Sequence, residues 1–460
     1  MTTDKSYLHE LSLPSVSAND PRATLVLDDK GLVKRSVLPG GIRVISEEMH
    51  GTRGASIGVW VPRGSRNEAE GGYGATHFLE HLLFKGTHRH TARELAYAFD
   101  QVGGESNAAT SREHTHYYAR VLAKDIELAV DLLMDMVTSA KLAEDDFLLE
   151  RSVILDELAM SMDDPSEQIH DQFAAAVFPH HPLGRPVGGT KQTVEDITLQ
   201  AVREHFRLGY TPNQVVIAGA GALEHQSLCD LVLNSVERAK TAGGAWESWQ
   251  TALDADTLSL GFPESFPGGI AARPQAADKR NIHMPVEQTH IICGGPGLEV
   301  TSPLRPVSSV LETILGGGMS SRLFQTVREE RGLAYTTYSF SSAYHDTGLF
   351  GMYAACAPHH AGEVSQLMRA QLELLATVPV DDSELNRAKG QLRGSVLLGM
   401  EDTGARMSRL GAAEIIVGKY KPLDTSLSQI DAVTAQDIKD LATRYVQDAG
   451  TEVWLGSVEQ

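Results

Sequence analysis

Along the chain, apolar residues fall into two alternating rhythms. From Ile42 to Ile45, and again from Ala55 to Val61, branched residues such as Ile57, Val59 and Val61 alternate with small or polar ones. That two-residue period predicts strands. Apolar positions at three- and four-residue spacing then predict helices over Gly74 to Lys85, Ala92 to Gln101, Lys124 to Ser139, Glu144 to Met162, Ser166 to Val177 and Val194 to Arg207. Further strands are expected at Ser106 to Ser111, His114 to Leu122 and Gln214 to Gly219. Strands and helices are interspersed, which makes an α/β unit of roughly 200 residues.

The first 35 residues are polar and carry Pro14 and Pro21, so they read as an extension, with structure beginning near Gly40. Between Thr241 and Lys279 the chain turns to Gly, Pro and Ala without a period, which predicts a linker. The second half then repeats the order of the first. A strand (Thr289 to Cys293), a helix (Val307 to Leu315), a glycine run (Gly316 to Gly318), a helix (Ser320 to Arg331), two strands and several long helices follow in turn. The echo lies in the order of elements and suggests a duplication.

Size and charge narrow the functional classes. At 460 residues the chain is about three domain lengths. Its 42% hydrophobic and 22% charged residues are those of a globular protein. A net charge of −20 argues against nucleic acid as a partner, because phosphates would be repelled. An acidic surface attracts basic peptides, and it also serves simply to keep a protein in solution. The three cysteines (Cys229, Cys293, Cys356) are odd in number and far apart, so neither a disulfide framework nor a thiolate metal cluster is expected. Met1 to Arg22 has no basic and apolar leader pattern, and no run approaches 18 apolar residues. A cytoplasmic protein with no membrane span is expected.

Candidate chemistry gathers in His77-Phe78-Leu79-Glu80-His81. Histidines four apart on a helix project from one face, one turn above the other, where two imidazoles can hold one zinc ion. Glu80 stands beside them and can take a proton from an attacking water. Phe78, Leu79, Leu82, Leu83 and Phe84 make the helix apolar nearly all round, and polar groups on such a helix need partners. A third ligand must come from elsewhere. Glu150 and Glu157, two turns apart on one predicted helix face amid Phe147, Leu148, Val153, Ile154 and Leu158, are the candidates, and either can reach a metal.

The stretch Gly74-Ala75-Thr76-His77-Phe78-Leu79-Glu80-His81-Leu82-Leu83-Phe84-Lys85-Gly86-Thr87 resembles the active-site helix of the pitrilysin and insulinase-type metallopeptidases. The likeness is to the half-length branch that includes the mitochondrial processing peptidase β-subunit and bacterial homologues, all with the inverted zinc motif. It continues through Gly103 to Glu113, similar to the family's edge strand, and through Glu150-Arg151-Ser152-Val153-Ile154-Leu155-Asp156-Glu157, similar to its third-ligand helix. The resemblance implies that Glu157 is the third zinc ligand and that Glu150 is a nearby carboxylate orienting the ligands. It also implies that Asn107, Ala108, Ala109, Thr110 and Ser111 bind substrate, since an unpaired strand edge can accept an extended peptide as an added strand. In Arg328-Glu329-Glu330-Arg331-Gly332-Leu333-Ala334-Tyr335, Arg328 and Tyr335 match the family's arginine and tyrosine pair, which steadies a substrate carbonyl and its developing oxyanion.

The comparable segment of the second half, Val307 to Gly316, has no histidine pair, so one zinc per chain is expected. The run Gly316 to Gly318 lacks the lysine and serine of a phosphate loop and reads as a flexible loop. The pairs His88/His90, His114/His116, His180/His181 and His359/His360 lack a matched carboxylate and read as surface or loop residues. The fold implied is α+β: two similar α/β halves, each a mostly antiparallel sheet covered by helices, enclosing one side of a chamber. The expected divisions are an extension (1–35), a zinc-binding catalytic half (36–241), a linker (242–284) and a second half (285–460) carrying the Arg/Tyr pair. The expected function is a zinc metalloendopeptidase acting on extended peptides as a homodimer with composite sites. Its rivals are a presequence-processing peptidase and a non-catalytic peptide-binding scaffold.

Overall fold

The computed structural model describes residues 11–12, 25–27, 31–241, 246, 272–275 and 277–457. Five strands open the chain: β1 (Leu11–Ser12), β2 (Leu25–Val26), β3 (Val33–Val37), β4 (Arg43–Glu48) and β5 (Gly54–Val61). Helices α1 (Ala75–Leu83) and α2 (Ala92–Val102) precede the hairpin of β6 (Glu105–Thr110) and β7 (Thr115–Leu122). Then come α3 (Ile126–Ser139), α4 (Glu144–Asp163), α5 (Pro165–Val177), α6 (Lys191–Asp196), α7 (Leu199–Gly209), β8 (Val216–Gly221) and α8 (His225–Thr241). The region read as one helix from Val194 to Arg207 is two, because Thr198 caps α7 by accepting from the Ala201 N–H. Strand β3 lies largely inside the expected extension, and β4 pairs with it along its length.

The second part holds β9 (Lys279–His283), β10 (Thr289–Pro296), α9 (Arg305–Gly316), β11 (Ala334–Ala343) and β12 (Gly348–Cys356). It continues with α10 (Ala361–Thr377), α11 (Asp382–Gly399), α12 (Thr403–Ala412), β13 (Lys419–Tyr420), α13 (Leu423–Ala432), α14 (Ala435–Asp448) and β14 (Thr451–Gly456). Strand β9 falls in the stretch read as linker, most of which lies outside the described residues. The helix expected at Ser320 to Arg331 is largely a π-helical turn over Phe324–Glu329. No helix among the described residues is long and apolar enough to cross a membrane.

The chain divides into two compact units. The first is 1–156, 186–269 and 399–422, and the second is 157–185, 270–398 and 423–460. The division passes through α4, which runs unbroken across it. Strand order in the first sheet is β2-β3-β4-β8-β5-β7-β6, and in the second β11-β12-β10-β14-β9. Read from its other end, the second sheet runs β9-β14-β10-β12-β11 and matches β4-β8-β5-β7-β6 position for position. Both contain one parallel pair, β4 with β8 and β9 with β14, among otherwise antiparallel neighbours. The duplication suggested by element order is therefore present in pairing and direction as well.

Each sheet also receives a helix from a distant stretch of sequence: α12 packs on β5 and β8, and α5 packs on β10 and β14. This explains why β5 is buried on both faces although its alternation suggests one wet face. Ser56 bonds Thr403 at 2.8 Å, and the Trp60 indole N–H donates to the Met407 sulfur at 3.4 Å. The same face carries stacked rings, with Trp60 on His116 at 4.1 Å and His116 on Tyr118 at 5.5 Å. His116 lies in β7 and is a half-buried, stacked side chain where a surface or loop residue was expected, while His114, in the loop before β7, is half-buried beside Trp60, and His181 is a buried loop residue. His88, His180 and His359 are exposed as expected. The glycine run is likewise a packing feature. A Cβ on Gly316 would stand 2.2 Å from the Ser339 backbone nitrogen, so only glycine lets α9 lie this close to β11.

Two buried polar clusters tie distant segments together. Glu414 accepts from Arg35 at 2.8 and 3.0 Å and from Arg43 at 3.3 Å, with all three side chains buried. His225 bridges Ser36 at 2.9 Å and Ser46 at 2.7 Å. Glu414→Ala, which leaves two buried guanidinium groups without their carboxylate, is expected to lower unfolding free energy by about 3–5 kcal/mol in chemical denaturation. Burial pushes His114, His116 and His225 down to about 4 and His205 to about 3. In the unfolded chain these imidazoles titrate near 6.5, so below that pH the unfolded state binds protons that the folded state does not. Stability is expected to be fully present above about pH 6.5 and to fall as pH drops towards 4. Urea midpoints measured across that range check this, and His225→Gln should flatten part of the slope.

Candidate metal centre

Helix α1 is set by its first turn. Gly74 precedes it at φ 98°, a left-handed conformation that suits glycine. The carboxylate of Glu68 accepts from the Gly74 N–H at 3.0 Å and the Thr76 N–H at 2.9 Å, filling the orphan donors of the helix start with a negative charge. The Thr76 hydroxyl bonds Nε2 of the buried His205 at 3.1 Å. Phe78, Leu79, Leu82 and Leu83 are buried, leaving His77, Glu80 and His81 on the partly exposed side.

Helix α4 meets this helix through Phe147, whose ring centre stands 4.9 Å from that of Phe78. Arg151 lies over the Phe147 ring at 4.6 Å and donates to the Ile197 carbonyl at 2.6 Å. The buried residues of α4 are Phe147, Glu150 and Ile154, and the stripe they form continues to Glu157. Leu148 and Val153, expected beside the two glutamates, are exposed at 51% and 44% and lie off this stripe.

Glu150 is the hinge of the arrangement. Its buried carboxylate accepts from His81 Nδ1 at 2.9 Å and pairs with Lys85 Nζ at 2.6 Å. Because the carboxylate is an acceptor, His81 carries its proton on Nδ1 and turns the Nε2 lone pair towards His77. The two Nε2 atoms are 3.3 Å apart. Two nitrogens each about 2.05 Å from a tetrahedral zinc ion stand about 3.3 Å apart, so the pair already has the spacing of one edge of such a site. Ligand atoms of His77, His81 and the exposed Glu157 all lie within 4.8 Å of one another. Among the described residues these three form the one group of this kind. Two imidazoles and a carboxylate suit zinc, and three protein ligands leave a position open for chemistry. Glu150, offered by sequence alone as an alternative ligand, is engaged instead by His81 and Lys85.

Glu80 accepts from the Thr110 hydroxyl at 2.5 Å. Nearby, the buried phenols of Tyr117 and Tyr210 bond each other at 2.9 Å. Burial pushes both phenols up, and the charge of Glu80 adds to the shift of each. Strand β6, which carries Thr110, ends the first sheet, and its outer edge has no paired strand among the described residues. Asn107, Ala108, Ala109 and Thr110 lie on this edge, and the Asn107 side chain accepts from the Ala108 N–H at 2.8 Å. Ser111 falls one residue past the strand, where its hydroxyl accepts from the His114 N–H at 3.1 Å and shapes the turn into β7.

In the second unit, Arg328 donates to the Tyr335 carbonyl at 3.0 Å and lies over the Tyr335 ring at 4.4 Å and the Phe324 ring at 4.6 Å. The structure therefore brings this pair together, with the Tyr335 ring 74% exposed. Sequence reasoning missed Glu68, Lys85, His205 and the Tyr117–Tyr210 pair. Lys85 had a signal in its spacing, four residues after His81 on one helix face. Glu68 lies just upstream of the motif but outside its helix, the others lie far from it in sequence, and none had a signal.

Residues 43–191 match the model of the family described as insulinase (peptidase family M16), and residues 196–392 match that described as the peptidase M16 inactive domain. An uncharacterised zinc protease of Streptomyces coelicolor is 42% identical over 91% of this chain and 89% of its own length. One from Mycobacterium tuberculosis is 41% identical over 94% and 93%. A probable mitochondrial-processing peptidase subunit β of Arabidopsis thaliana is 33% identical over 90% of this chain and 76% of its own. A protease from Helicobacter pylori has the same fold, with a TM-score of 0.82 at 22% identity, covering 92% of this chain and 99% of that one.

If Glu150 orients His81 for a metal, Glu150→Gln and Lys85→Met should each weaken zinc binding by about 10–100-fold, with Lys85→Arg milder than Lys85→Met. Chelator competition on the folded proteins measures this. Affinities unchanged from wild type would remove the orienting role.

Proposed function

The chain belongs to peptidase family M16, the insulinase family, and from that premise we propose that it is a zinc-dependent endopeptidase acting on extended or unfolded peptides. The observation that carries this reading is the convergence of His77, His81 and Glu157 within 4.8 Å, with the His81 tautomer set by Glu150. These three residues would hold one zinc ion per chain. Bound there, zinc supplies Lewis acidity that polarises a peptide carbonyl and makes water a better nucleophile near neutral pH.

The remaining steps belong to side chains. Glu80 takes the proton of the attacking water and passes it to the leaving amine. The free edge of β6 takes the substrate as an added strand, which selects extended segments. Arg328 and Tyr335 steady the substrate carbonyl and its developing negative charge. One chain carries both the histidine motif and the Arg/Tyr pair, which supports a homodimer in which each site draws on both copies.

The family match described as inactive covers 196–392 and so excludes both histidines and Glu157. It does not weigh against catalysis at α1, and measured peptide turnover separates the reading from that of a non-catalytic scaffold. Similarity to a processing peptidase subunit favours one narrower reading, the cleavage of basic targeting segments. A peptide library with basic and neutral extended members distinguishes the two by their relative kcat/KM.

Glu80→Gln is expected to retain zinc and lose turnover by at least about 100-fold, whereas His77→Ala should lose the metal. Metal analysis beside a peptide digest tests both, and loss of zinc from Glu80→Gln would remove the base role. Mixing Glu80→Gln with Tyr335→Phe chains under subunit exchange should restore activity if sites are composite. Verified mixed dimers without activity would rule that out.

A further inference from the structure

We propose that Thr110 is the positioning residue of the general base, holding the Glu80 carboxylate in its working orientation and tying it to the strand on which substrate docks. The inference rests on the peptidase reading above. Register along the β6/β7 hairpin pairs Asn107 with Tyr118, Ala108 with Tyr117, Ala109 with His116 and Thr110 with Thr115. Side chains alternate, so Ala108 and Thr110 share the face of Tyr117, while Asn107 and Ala109 share the opposite face with His116 and Tyr118. Strand β6 packs on α1, and from the Thr110 face its hydroxyl reaches Glu80 Oε2 at 2.5 Å.

That length is typical of a hydroxyl donating to an ionised carboxylate. Among the described residues Thr110 is the one hydrogen-bond donor to Glu80. The neighbouring phenols of Tyr117 and Tyr210 bond each other at 2.9 Å and do not bond Glu80. Glu80 has a long, partly exposed side chain with several rotamers, whereas Thr110 is β-branched, stiff at χ1 and fixed on a paired strand. The rigid partner therefore sets the flexible one. With Oε2 occupied, Oε1 is the oxygen left to receive a proton. The residue reads by position as a substrate contact, yet its side chain faces the base, and only its backbone faces the docking edge. Substrate binding and base orientation thus share one element.

The test uses the full chain loaded with zinc, comparing wild type with Thr110→Val, which keeps the shape and removes the donor, and Thr110→Ser, which keeps the donor. Thr110→Val should lower kcat about 100-fold with KM within a few-fold and zinc affinity unchanged by chelator competition, and Thr110→Ser should recover most of the loss. Full kcat in Thr110→Val, a rise in KM alone, or a serine variant as poor as valine would overturn the proposal. A second readout does not depend on turnover: in urea denaturation Thr110→Val should shift the midpoint in wild type and not in Glu80→Ala. Additive shifts would overturn the contact itself. A wild type that binds zinc and cleaves nothing overturns the peptidase reading, and the catalytic role of Thr110 with it, while the denaturation cycle still reports whether the pair exists.

Discussion

The site depends on one buried carboxylate. Glu150 sits under the side of α1 that carries the histidines at 2% exposure, where a lone charge would be costly, and it is sustained by His81 on one oxygen and Lys85 on the other. That pairing does two jobs. It fixes which nitrogen of His81 is free to bind a metal, and it pins α4 to α1 at a defined rotation. A helix is rigid over two turns, so the stripe that places Glu150 against His81 also brings a Glu157 ligand atom within 4.8 Å of those of the histidines.

Duplication shows what the site required beyond the fold. Both sheets share strand order and direction, and α9 occupies in the second the place that α1 has in the first. Helix α9 buries Val307, Val310 and Leu311 in an apolar core, while α1 presents His77, Glu80 and His81 towards a partly open surface. The same architecture thus supports either a packed interior or a polar cluster. What differs is whether partners such as Glu68, Glu150 and Thr110 surround the helix.

Polar groups elsewhere in the first unit are treated in the same way. Arg35 and Arg43 close on Glu414, and His225 bridges two serines. The histidines stacked on Trp60 have their pKa pushed down to about 4 by desolvation. None of these groups has the combination found at α1, where imidazoles and a carboxylate converge at partial exposure. Burial of a polar group in this protein is common, and convergence with access to solvent is what singles out one place.

The sequence alone determined the period of most elements, the repeated order of the two parts, and the inverted pair of histidines with its glutamate. These are local properties, fixed by spacing along one helix or strand. The difference between Glu150 and Glu157 was not local: spacing puts both on one face, and only the packing of α4 against α1 sets Glu150 against His81 and Lys85 and leaves Glu157 within 4.8 Å of the histidines. The same holds for Thr110, whose strand position suggested substrate while its facing partner is Glu80. It holds for His114 and His116, whose stacking on Trp60 depends on the pairing of β7 with β5, more than 50 residues apart in the chain. Glu68 and the phenol pair emerged only when the chain folded, since the energy of a buried charge or phenol depends on neighbours that sequence distance does not reveal.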